Sequence, residues 1–191
     1  PPCPENRAPP VEPMEYKPDW PEAKERLSHW WNGQPTDRVV AMVTAPRRNA
    51  APLPRCDAVP DKYIDEATVL WNADAALKTT FYGGEAIPSH WVYLGPVPLS
   101  GCMGCEMHFE PGTVWHSPRF DSWDEAARLA FDPSNRWYRL LCDLTRASLQ
   151  HAQGQYLVSG QGFGCVSDVI ADLWGSEAPL MAMLDRPDAI R

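Results

Sequence analysis

The segment Asp37-Arg38-Val39-Val40-Ala41-Met42-Val43-Thr44-Ala45 constrains the fold most. Its apolar residues run on with almost no alternation. A strand with one wet face alternates, whereas a continuous run suits a strand covered on both faces, as in parallel sheets. Parallel strands need long crossovers, usually helical. The segment therefore predicts strand–helix alternation through the rest of the chain.

That alternation can be traced. Asp19 is placed to cap a helix with Pro21 in its first turn. Trp20, Ala23, Leu27, Trp30 and Trp31 follow at helical spacing, and Gly33 closes the helix. Beyond the apolar run, Pro46 opens a proline-rich loop over 46–60. A helix is predicted over 61–80, with Tyr63, Ala67, Leu70, Trp71 and Ala75 on one side. A second strand spans 87–94 and stops at Gly95-Pro96. Glu106–Phe109 and Thr113–His116, set around Glu110-Pro111-Gly112, read as a hairpin. Ser122 and Glu125 have capping-box spacing. A long helix is predicted over 133–152, a third strand over 155–160, and one or two helices over 166–184. Residues 1–18 carry seven prolines and read as an extended arm. The order implies an α/β domain over 19–191, with a parallel sheet and helices outside it.

Composition removes several classes of function. The chain has 191 residues, 44% apolar and 22% charged, which suits one globular domain. A net charge of -8 and the lack of a basic stripe exclude a nucleic-acid partner. No apolar run approaches the roughly 18 residues of a membrane span. Six cysteines, at 3, 56, 102, 105, 142 and 165, are too scattered for a disulfide framework and imply reduced thiols in a cytoplasmic protein. Nine tryptophans imply a deep interior or an aromatic-walled pocket.

Two local patterns raise specific chemistry. Cys102, Cys105, His108 and His116 are four metal-ligand types in one short run. Structural zinc sites usually hold about a dozen residues between their ligand pairs. Here two residues separate Cys105 from His108, and the two histidines fall on opposite arms of the hairpin. No thioredoxin-like context supports a redox pair. The run is read as a hairpin, with no metal assigned. Gly160-x-Gly162-x-Gly164 follows a strand, but its spacing is not that of a dinucleotide loop.

Three segments, in order, resemble the uroporphyrinogen decarboxylase-like family. They are "WWNGQPTDRVVAMV" (Trp30–Val43), "GCEMHFEPGTVW" (Gly104–Trp115) and "YLVSGQGFGCVSDVIADLWGSEAPLMAMLDRPDAIR" (Tyr156–Arg191). The resemblance implies a (β/α)8 TIM barrel, present as an N-terminal partial barrel with an inserted hairpin and continuing beyond Arg191. It implies either porphyrinogen decarboxylation or corrinoid-dependent methyl transfer, on a tetrapyrrole, corrinoid or other small-molecule substrate. Homodimers are common in that family. In such barrels working groups gather at the C-terminal strand ends. The resemblance thus points to His90 and Asp168 as catalytic residues, and to Arg47, Arg48, Trp91, Tyr93, Gln161 and Phe163 as substrate-binding ones. An Arg after the first strand suits carboxylate recognition. The chain departs from the decarboxylase pattern in two places. Tyr93-Leu94-Gly95-Pro96 has no Asp, and Asp172 stands where a Tyr is expected. This tilts the expectation to methyl transfer, with a non-catalytic binding barrel as the contrasting reading. The family's zinc ligands, a His-x-Cys pair and a later Cys, would lie in the C-terminal half, so this segment itself is expected to bind no cofactor.

Overall fold

The structure, a computed structural model, describes residues 14–185 and 187. Helix α1 spans Trp20–Trp31, with Pro21 in its first turn, and Ala23 is its buried residue. Strand β1 is Met42–Pro46. Helix α2 is Asp61–Ile64, and α3 is Glu66–Thr79. Asp65 breaks the two helices apart and caps α3, because its carboxylate accepts the Thr68 amide at 2.8 Å. Strands β2 (Thr80–Gly84) and β3 (Ser89–Trp91) follow. Helix α4 is Pro98–Cys102; β4 (Glu106–Phe109) and β5 (Val114–Ser117) form the hairpin around Pro111-Gly112. Helices α5 (Trp123–Ala126) and α6 (Arg136–Ala152), strand β6 (Leu157–Ser159), and helices α7 (Val166–Trp174) and α8 (Glu177–Asp185) complete the chain.

The predicted barrel, whole or partial, is not what these elements build. They form three separate two-stranded sheets, and only β3–β6 is parallel. The first strand shows why. Helix α3 passes without a loop into β2, which returns antiparallel along β1, from Met42 opposite Gly84 to Pro46 opposite Thr80. All five residues of β1 are exposed. A continuous apolar run is thus an uncovered ribbon here, not the centre of a parallel sheet.

The main core includes neither strand of this ribbon. Val92, Leu94, Cys102, Met107, Val114, Leu141 and Leu144 pack together with Tyr63 and Val69. This cluster ties β3 to the hairpin, α4 and α6. Long α6 supplies one apolar face, and Asn135 caps it by accepting the Trp137 and Tyr138 amides at 2.8 and 3.3 Å. Gly95 turns the chain after β3 at φ +94, and a Cβ there would meet Val114 at 2.8 Å, so the turn packs directly on the hairpin. A second cluster joins Tyr16, Leu77, Ala152 and Tyr156; a third joins Cys105, Phe120 and Leu173.

Polar anchors hold the periphery. Residues 1–13 of the proline-rich arm lie outside the described residues, but its end is docked. Lys17 is buried, and its ammonium donates to the Tyr82 and Gly84 carbonyls and to Asp19, at 3.2, 2.6 and 2.9 Å. Glu85, fully buried just after β2, accepts from Arg26, Arg38 and the Ala41 amide at 2.6–3.0 Å. Burial alone would raise its carboxyl; the hydrogen bonds from Arg38, Ala41 and Arg26 outweigh that and hold it at about 2.

Candidate functional site

A cleft of about 380 Å³ opens between the loop before α2, helices α2 and α3, strand β3 and the hairpin turn. Its walls are set from the sequence upward. Asn72 on α3 holds the loop by a two-point clamp, accepting the Cys56 amide at 2.9 Å and donating to the Cys56 carbonyl at 2.8 Å. The Trp71 indole N–H donates to the Pro54 carbonyl at 2.8 Å beside it. The loop thereby brings Arg55 and Asp57 to the rim. On α2, the Tyr63 hydroxyl donates to the Glu110 carbonyl at 3.0 Å, and Lys62 Nζ donates to the Pro111 carbonyl at 2.5 Å. This latches the helix to the hairpin turn.

Strand β3 supplies the floor. It pairs with β6 along one edge only, with Leu157 N donating to Pro88 O and Val92 N donating to Ser159 O. In a parallel ladder the intervening groups alternate, so the Ser89 and Trp91 backbone N–H and C=O point to the unpaired edge. Ser89, His90, Trp91 and Tyr93 all line the cleft. Trp91 and Tyr93 meet edge to face at 5.0 Å, and the rings continue through Tyr63 and Phe109 to Trp137. Burial pushes the Tyr93 phenol up, which keeps it a neutral donor. His90 Nδ1 lies 2.6 Å from Ser148 Oγ on α6. Its imidazole is held below the usual range, by burial first and by neighbouring His151 second, while Asp74 opposes.

Charge at the rim favours anions. Arg55 and Lys62 face Asp57, two cations against one carboxylate, in a chain of net charge -8. The Arg55 guanidinium has no ion pair or hydrogen bond among the described residues. The site therefore combines aromatic faces, open backbone edges and a surplus cation.

Of the residues expected from the sequence, His90, Trp91 and Tyr93 come together here. Arg47 instead lines an adjoining cleft of about 570 Å³, which shares Arg55 and Ala76 with the first, and Arg48 is exposed on the same loop. Gln161 and Phe163 lie on an apolar groove beside α6. Gln161 Oε1 accepts the Leu94 amide at 2.7 Å, which braces the chain after β3. Asp168 is at the start of α7, where its carboxylate accepts the Cys165 amide at 3.4 Å. Cys165 is the N-cap, and Asp168 is the third residue of the helix. Arg55, Lys62, Asn72 and Ser148 were not foreseen; only the loop's proline content and the α6 face hinted at them.

The Cys102-x-x-Cys105 run divides between two interiors. Cys102 packs in the main core and Cys105 against Phe120 and Leu173. Burial pushes both thiols up to about 11, so neither is a thiolate at neutral pH. His108 stacks on Trp115 at 4.0 Å, and His116 Nδ1 pairs with Asp172 at 2.9 Å. Ser100 donates to the same carboxylate at 2.8 Å. Among the described residues, no three His, Cys, Asp or Glu side chains converge as a metal site, and no helix is long and apolar enough to cross a membrane.

Compared with known proteins, the chain matches no family model, no curated protein and no solved structure. What the described residues define is a cleft lined by aromatic rings and two cations, in a mixed helix-and-strand arrangement with three short two-stranded sheets.

Proposed function

We propose that the chain binds a planar small molecule that carries an anionic group. One observation carries the reading: the Trp91 and Tyr93 rings share a cleft with Lys62 and with Arg55, which has no ion pair among the described residues. An aromatic ligand ring would lie against Trp91, and its carboxylate or similar group would meet Arg55. A volume of 380 Å³ is near the lower end of ordinary ligand pockets, which run from about 300 to 1,000 Å³. That size suits one or two fused rings, or a single ring of a larger molecule left outside.

Methyl transfer from a corrinoid or methylated small molecule, and decarboxylation of a tetrapyrrole, are the enzymatic forms of this reading. The binding form is preferred because aromatic faces beside a surplus cation suit holding and orienting a planar anion.

The test is a titration with benzoate and indole-3-carboxylate against benzamide, followed by amide and indole NMR shifts. The carboxylates should perturb Trp91 and Tyr93, and benzamide should bind more weakly. Arg55→Gln should weaken carboxylate binding by about tenfold, the scale of one charge-assisted hydrogen bond. Equal response to benzamide, or shifts confined to other surfaces, would remove the proposal.

A further inference from the structure

We infer that His90 meets its ligand as a neutral hydrogen-bond donor through Nε2, and that Ser148 is the positioning residue that fixes this state. The ligand atom at His90 is then a hydrogen-bond acceptor, neutral or anionic, and not a proton donor. The ligand half of this inference rests on the binding reading above; the Ser148 half does not.

The argument is one of hydrogen accounting. Ser148 is on α6 with its side chain fully buried, and its Oγ lies 2.6 Å from His90 Nδ1. A buried hydroxyl needs an acceptor for its hydrogen. Thr145, one turn earlier, donates to the Leu141 carbonyl at 2.7 Å, but Ser148 Oγ makes no such backbone bond. Among the described residues His90 Nδ1 is therefore its only acceptor. A nitrogen that accepts carries no hydrogen, so in the neutral ring the proton sits on Nε2. The reverse arrangement would leave the serine hydrogen buried with no acceptor, a bias of about tenfold or more against that tautomer.

Nε2 is available. Of the described side-chain polar atoms, only His116 Nε2 is both shut from solvent and unpartnered. His90 Nε2 makes no hydrogen bond among the described residues, and its ring lines the cleft. The charged form is disfavoured by burial and by His151 on α6, against Asp74 on α3. Ser148 is itself held from behind, because the buried Tyr156 hydroxyl donates to its carbonyl at 3.5 Å.

The experiment is two-bond ¹H–¹⁵N correlation of the histidine rings in the full 191-residue chain at pH 7.5. The expected result is a pyrrole-like Nε2 and a pyridine-like Nδ1 for His90. A protonated Nδ1 in the wild type overturns the inference, whether or not any variant folds. In Ser148→Ala the tautomer ratio should fall by about tenfold toward a mixture. An unchanged ratio, in a variant whose amide spectrum shows it folded, removes Ser148 from the role. Benzoate is then added to the wild type. A downfield shift of the Nε2 proton supports the ligand half. If benzoate fails to bind while Nε2 is protonated, the binding reading falls and the Ser148–His90 relation stands.

Discussion

The β1–β2 ribbon and the β3–hairpin–α6 core use similar residues to opposite ends. Val43 and Phe81 of the ribbon and Val92 and Leu94 of the core are all large and apolar. The first two are about half exposed, and the second two are fully buried. The core is held by packing, with Leu144 among its most buried side chains. The ribbon is held by charge, through Glu85 between Arg26 and Arg38 and through Lys17 on the β2 carbonyls. Apolar sequence therefore does not decide burial; what decides it is whether a second element arrives to cover the strand.

The largest effect should come from the core. Leu144→Ala removes three side-chain carbons from a site in the closely packed core, and should cost about 3–4 kcal/mol. Thermal unfolding should fall for the whole molecule, with amide exchange rising in β3, β6 and the hairpin together. If exchange rose only near Leu144, the core would not be one cooperative unit.

Next comes the ribbon. Glu85→Gln takes the buried carboxylate from Arg38 and leaves Arg26 with Asp37 alone, and should cost about 2–3 kcal/mol locally. Exchange should rise over 42–46 and 80–84 while β3 and β6 stay protected. Equal loss in both regions would break the comparison. Acid does the same work. The Glu85 carboxyl is lowered from 4.5 to about 2, so its contribution is complete above pH 4.5 and drains away as pH falls toward 2. The core has a different weak point. His116 is buried, and burial lowers it below 6.5 in spite of Asp172. The unfolded chain then takes up the proton first, so core stability should fall as pH drops below 6.5. His116→Gln should reduce that slope between pH 7 and pH 5.5, with buried His90 supplying what is left, and leave the lower-pH loss of the ribbon unchanged.

These contrasts also mark how far the sequence is legible. The hairpin around Pro111-Gly112 and the long helix ending at Ala152 follow from turn chemistry and periodicity, which are local. Strand β2 does not: Thr80-Phe81-Tyr82-Gly83-Gly84 reads as a helix end, and only its pairing with β1 makes it a strand. That single antiparallel return removes the predicted barrel. The site divides in the same way. His90, Trp91 and Tyr93 could be singled out because they lie on or just after a strand. Arg55 and Lys62 reach them through contacts between distant residues, Asn72 with Cys56 and Lys62 with Pro111, which no local pattern encodes. Ser148 falls within the long helix predicted over 133–152, but nothing local marks it as the partner of a histidine on a strand.

The clamp can be tested where ribbon and core adjoin. Asn72→Ala leaves the Cys56 amide and carbonyl without partners and should cost about 2 kcal/mol. The loss should be confined to the loop over 46–60, and carboxylate binding should weaken with it, because Arg55 is no longer held at the rim. A loop that stays protected from exchange in this variant would mean that Trp71 and Pro54 suffice to hold it.

The smallest stability effect should be at Trp91, and it is the most informative about function. The ring is more than half exposed and stands on a strand paired along one edge only. Trp91→Leu should change stability by no more than about 0.5 kcal/mol, as surface substitutions do. If the cleft takes a planar ligand, the same change should still weaken aromatic carboxylate binding by about fivefold or more, the worth of one ring-on-ring contact. Binding and stability would then separate cleanly at one residue. If both fell together, Trp91 would be a packing residue of the core, and the cleft would lose the aromatic wall on which its reading depends.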